Sequence, residues 1–176
     1  MTINILALRG LATVSLWRPD GSLKSRQTIQ NLITNAGDSY YATRGAAAVV
    51  PAAPADATKV TTMKLGTGAT SAHKSSATGA TIGAGTYITG SNNAFDATYP
   101  VVTAVGSDVG YQIEYRTTWA AGDSTNAAIT EAIICTDSDD GASTVAETIS
   151  RITFTAIDKQ ANDILIISWF HKFLGA

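Results

Sequence analysis

The chain has 176 residues, enough for one domain with a single good-sized core. Only 15% of the residues are charged against 45% hydrophobic, and the formal net charge of −2 offers no basic field to a phosphate backbone, which argues against nucleic-acid binding. The lone Cys135 excludes an intrachain disulfide framework and a multi-cysteine zinc site, and is expected as a small buried hydrophobe at a strand end.

At the start of the chain Asn4 and Arg9 interrupt the apolar residues, so neither a signal peptide nor a membrane span is expected. Thr13 to Trp17 reads as a strand, Arg18-Pro-Asp-Gly21 as a turn, and Ser22 to Gln27 as the returning arm of a hairpin. Asn31 to Arg44 places Leu32, Ile33, Ala36 and Tyr40 near helical spacing, with Gly37 as the residue that weakens the helix. Residues 45–58, rich in alanine with prolines at 51 and 54, read as an arm or linker.

Val60 to Leu65 reads as a strand. Residues 66–94 are then mostly Gly, Ala, Ser and Thr with few anchors (Ile82, Tyr87, Ile88), the pattern of a long loop or an extended arm. Val101 to Val105 is a short strand. Tyr111 to Trp119 alternates cleanly, with Tyr111, Ile113, Tyr115, Thr117 and Trp119 on one face. Strands at Ile129 to Cys135 and near Ala146 to Ala156 follow, separated by the polar loop Thr136 to Gly141.

The last strand, from Ile164, is apolar on both faces. Leu165, Ile167 and Trp169 share one, Ile164, Ile166 and Phe170 the other, so both need a cover. Ile164, Ile166, Trp169, Phe170 and Phe173 are therefore the candidate interface residues, with burial of Trp169 or Phe170 by another subunit expected. The spacing of strands and turns, without any βαβ rhythm, predicts a single all-β domain over 1–176. Its expected form is an antiparallel β-sandwich, jelly-roll-like, with one short helix and long Gly/Ala/Ser/Thr-rich loops or arms.

No constellation for catalysis is visible. Gly68 to Ser75 approaches a phosphate-binding loop, but His73 stands where its second glycine belongs and no helix pattern follows. Asp137, Asp139 and Asp140 hint at a calcium loop, yet Gly141 is fifth rather than sixth and a solvated turn accounts for them better. Cys135 and His171 could meet across a sheet, but nothing orients the pair, and His171 reads as a packed, hydrogen-bonded residue. Glu114 beside Arg116 looks like an ordinary ion pair rather than half of a carboxylate dyad. The expectation is a non-enzyme with no catalytic, cofactor or metal residues. Scattered aromatics (Trp17, Tyr40, Tyr41, Tyr87, Tyr99) leave a lectin-like carbohydrate-binding module as an alternative of another class.

Taken in order, Asn31-Leu-Ile-Thr-Asn-Ala-Gly37, Lys64-Leu-Gly-Thr-Gly68, Trp119-Ala-Ala-Gly-Asp123, Ile129-Thr-Glu-Ala-Ile-Ile134, Arg151 to Ile157 and Asp163 to Trp169 resemble small β-sandwich virion proteins of tailed bacteriophages. The resemblance spans most of the chain apart from the Ala/Pro segment and the Gly/Ser/Thr-rich loop. It implies a structural protein of the virion. The leading expectation is a homotrimeric capsid cement (decoration) protein that contacts itself and the major capsid protein. A tail, baseplate or fibre subunit contacting tail proteins is the alternative.

Overall fold

The computed structural model describes residues 8–46, 60–106 and 110–174. In chain order these hold β1 (Leu8–Trp17), β2 (Leu23–Ile33), α1 (Asn35–Ala46), β3 (Thr62–Gly66), β4 (Asn93–Ala94) and β5 (Val101–Ala104). After them come β6 (Gly110–Trp119), β7 (Asn126–Cys135), β8 (Thr148–Lys159) and β9 (Ile164–Leu174). The protein is thus mostly antiparallel β with one short helix, as the alternation of its sequence predicts.

The strands form one sheet in the order β4-β3-β7-β8-β2-β1-β9-β6-β5. β1 joins β2 and β9 along its length, and β9 joins β6 from Gly110↔Leu174 to Trp119↔Leu165. The hinge of the sheet is narrow. β2 meets β8 only at Leu32↔Arg151 and Ile33↔Ser150. There the sheet curls, so that one wing (β2, β1, β9, β6, β5) faces the other (β8, β7, β3, β4).

The core lies between the wings. Ala12, Val14, Leu16, Trp119, Leu165, Ile167 and Trp169 of the first wing pack with Met63, Leu65, Ala132, Ile134, Ile149 and Ile152 of the second. Each fully buried aliphatic side chain contributes roughly 1.5–3 kcal/mol. Residues 93–96 strap the free ends together. Asn93 and Ala94 pair with β3, while the Asn93 amide donates to Thr118 O and Asp96 N donates to Arg116 O on β6.

The hairpin turn at Arg18 to Ser22 forms as expected. Gly21 adopts φ +80° and its N–H donates to Arg18 O at 3.0 Å. The helix begins later than its spacing predicts. Leu32 and Ile33 belong to β2 because their pairing with Arg151 and Ser150 overrides local periodicity. Thr34 caps α1, its hydroxyl accepting from Gly37 N at 3.0 Å and donating to Thr148 O at 2.6 Å. Gly37 is required by close approach, since a Cβ there would strike the Ile149 carbonyl on β8.

Of the two forms expected for residues 66–94, a long loop or an extended arm, the chain takes the loop, and residues 66–93 are firmly anchored. They fold over the outer face of β3, β7 and β8, and Ala80 and Ile82 are fully buried, Ile82 against Ile133 and Cys135. Underneath lies the Glu131–Arg151 ion pair (2.6 Å), both side chains 1% exposed. Glu131 accepts from Gly68 N at 2.7 Å, and Arg151 donates to Gly79 O at 3.0 Å, so the pair staples the segment at two points. Thr81 donates to Ser143 O, and Ser91 O accepts from the indole N–H of Trp119. The arm expected at 45–58 lies outside the described residues except for Gly45 and Ala46, which end α1.

Candidate functional site

β9 distributes its side chains by strand alternation. Leu165, Ile167, Trp169 and His171 point into the core and are buried. Ile164, Ile166 and Phe170 point outward and stay half-exposed. The register with β1 sets Phe170 beside Leu11, Ile166 beside Ser15 and Ile164 beside Trp17. The same alternation on β6 brings Glu114, Arg116 and Thr118 alongside. The outcome is a half-exposed face of Leu11, Trp17, Ile164, Ile166 and Phe170, with Leu23 40% exposed at its edge on β2.

Two of the candidate interface residues leave this face. Trp169 is 0% exposed and covered by its own chain, so it is not an interface residue, and of the two expected under a partner, Trp169 or Phe170, only Phe170 stays accessible. Phe173 shares the inward side and packs edge-on against Tyr41, ring centroids 5.1 Å apart. Leu11 and Trp17, which the sequence reading did not assign to the face, join it. The signal was available in β1, since the odd positions of that strand place both on one side.

His171 sits in a sealed polar network. The Asn31 amide donates to His171 Nε2 at 3.0 Å and to Ser150 Oγ at 2.6 Å, while Ser150 Oγ donates to Leu32 O at 3.0 Å. Nδ1 contacts the Tyr41 hydroxyl, which lies 3.0 Å from that of Tyr115. These partners fit a neutral ring protonated at Nδ1, and burial lowers the His171 pKa to about 3. Burial pushes the Tyr115 hydroxyl up to about 12 and raises Tyr41 as well. Gly10 makes room for this arrangement, because a Cβ there would occupy the Asn31 amide.

Ser150 Oγ lies 3.2 Å from His171 Nε2, a distance at which a nucleophile and base could pair. Both residues are 0% exposed, and the serine proton is directed to Leu32 O. The network therefore braces the hinge between α1, β2, β8 and β9. Cys135 points to the opposite side of its sheet, under residues 66–93, and the two residues considered together in the sequence do not meet. Burial raises the Cys135 thiol above its usual range.

The acidic loop after β7 is occupied by protein partners. Asp137 pairs with the buried Lys64, whose ammonium also donates to Gly141 O at 2.9 Å. Asp140 accepts from Gly90 N and from the Tyr87 hydroxyl, which hold its carboxyl below the usual range. No cluster of three or more metal-ligating side chains occurs among the described residues. Lys74 of the approximate phosphate loop pairs with Asp38 on α1. Arg116 turns to Asp96 at 3.1 Å instead of Glu114. No helix of the described residues is long and apolar enough to cross a membrane.

The fold and face define a class no finer than a mostly antiparallel β protein with a half-exposed apolar sheet face. Comparison of the chain with protein-family models, curated proteins and solved structures returns no match.

Proposed function

We propose that this chain is a structural subunit of a tailed-bacteriophage virion, a capsid cement protein that assembles through the outer face of β1 and β9. The observation that carries the reading is that row of half-exposed apolar residues, Leu11, Trp17, Ile164, Ile166 and Phe170, on a wing whose opposite side is already core. A β-sandwich of the jelly-roll type is the architecture we infer from the two facing wings. Burial of such a face by a neighbour releases water from apolar surface and needs no conformational change. Cyclic symmetry would close three copies around a capsid threefold position. Weak contacts repeated in this way reinforce one another through effective concentration.

Solution mass followed by co-sedimentation with capsids tests the proposal. A trimer that pellets with capsids and raises their resistance to heat supports it. A monomer without capsid affinity overturns it. Gold-labelled protein at the tail tip instead of the head would move the same subunit to the tail, baseplate or fibre.

A further inference from the structure

We propose that the cleft where β2 and β8 part is a binding site for a neutral carbohydrate ring. Below their two paired positions these strands separate, and an open cleft of about 460 Å³ lies between them. That volume is within the roughly 300–1,000 Å³ usual for small-ligand clefts. Ile29 and Phe154, which also pack against the core, supply its apolar surface. Thr153 and Thr155 add hydroxyls, Thr130 adds one that can only accept because it already donates to Gly68 O at 2.8 Å, and none of the lining residues is charged.

A strand irregularity borders the cleft in β8. Between Glu131↔Thr153 and Ile129↔Ile157, three residues of β8 oppose the single Thr130 of β7. A bulge of this kind re-aims side chains at the margin of a site. Here it falls at Phe154 to Ala156, directly on the cleft wall.

The lining selects the ligand class. An anion would find no cation, and a cation no carboxylate. An extended peptide adding itself to the strand edge would need the backbone of Thr155. That backbone is already capped: Gln27 Nε2 donates to Thr155 O at 2.8 Å, and Gln27 Oε1 accepts from Thr155 N at 3.0 Å. What remains is an aromatic ring edged by hydroxyls, which suits a neutral sugar. The apolar C–H face of a pyranose stacks on such a ring while its hydroxyls bond to threonine side chains. A single sugar of about a dozen non-hydrogen atoms is expected to bind with a Kd on the order of 1 mM. This site is separate from the β1/β9 face and does not depend on assembly.

Isotope-labelled protein titrated with glucose, galactose, mannose and N-acetylglucosamine to tens of millimolar tests the proposal by amide shifts. Saturable shifts at Thr130 and at Thr153 to Thr155 with at least one sugar are expected. Phe154→Leu keeps apolar volume without the ring, and Thr153→Val keeps shape without the hydroxyl. Each should weaken binding roughly tenfold, whereas Ser138→Ala on a distant loop should leave it unchanged. The spectrum of each variant reports whether it is folded. No saturable shift with any of the four sugars, shifts mapping elsewhere, or equal affinity in both folded cleft variants overturns the proposal. So does a neutral threonine-valine peptide that shifts these resonances when the sugars do not.

Discussion

On the wing built from β3, β7 and β8, the outward residues Lys64, Glu131, Ile133, Cys135 and Arg151 lie buried under residues 66–93. On the wing built from β1, β9 and β6, the corresponding outward row of Leu11, Ile164, Ile166 and Phe170 is half-exposed. The chemistry of the two rows differs as much as their burial. The covered wing holds charges that need buried partners; residues 66–93 supply them at Gly68 and Gly79, and the loop after β7 supplies one at Gly141. Lifting this cover would break the hydrogen bonds at Gly68 and Gly79 and expose Ile82 as well, so it costs more than parting an apolar contact alone. The open wing holds apolar groups, which tolerate either water or a partner at modest cost. Such a face suits association that can be made and broken.

The largest expected effect breaks the covered wing. Arg151→Ala leaves Glu131 buried without its cation and should cost about 3–5 kcal/mol. Urea denaturation would measure it, and the double change with Glu131→Gln should recover a substantial part. A loss below about 1 kcal/mol would mean that residues 66–93 are held without the ion pair.

A second effect concerns the brace beneath both wings. The folded-state pKa of His171 is depressed to about 3 against an unfolded value near 6.5. Between these values the unfolded chain binds the extra proton, so stability is full above pH 6.5 and falls as pH drops. At pH 4.5 the loss from this residue is roughly 2–3 kcal/mol. Thermal melts of the protein and of His171→Gln across this range should converge as the pH falls. Parallel curves would remove His171 as the cause.

The smallest effect on folding is expected at the open wing. Phe170→Asp or Ile166→Lys should change monomer stability by only about 0.5 kcal/mol, as for most surface substitutions. If the outer face of β1 and β9 is the subunit contact, as proposed, either change should lower the solution mass from oligomer to monomer. Destabilisation as large as that of Arg151→Ala would show that the two faces do not differ in kind.

The strands were legible where polar and apolar residues alternated, as in Tyr111 to Trp119, or where a run was apolar on both faces, as in Ile164 to Phe170. Alternation separates the two sides of a strand without revealing what covers either. Arg151 and Thr153 alternate with Ile152 and Phe154 like a solvent-facing set, yet Arg151 is buried because Gly79, distant in sequence, lies over it. The cover itself was illegible for a related reason. Its attachment relies on backbone groups of glycines and on isolated Ile82, and small residues carry no periodic signal. The same limit applies to Trp169, whose environment is set by wing closure rather than by neighbours in the chain. His171 reads correctly as a packed, hydrogen-bonded residue, but Asn31 and Tyr41 come from other elements and could not be paired with it beforehand. The cleft at Gln27 depends on where two strands stop pairing, which composition does not record.

The pairing of β1 with β9 has a consequence for how the molecule comes into being. Leu11 and Phe170 stand side by side although they come from opposite ends of the described chain. The hairpin of β1 and β2 can form early and locally, but its other edge must wait for β9. Topologies dominated by such distant contacts fold slowly. During that interval the edge and the inward faces of Val14 and Leu16 are open to stray strands. Rapid production of this protein should therefore favour aggregates of the incomplete chain, and slower synthesis at lower temperature should favour the soluble form.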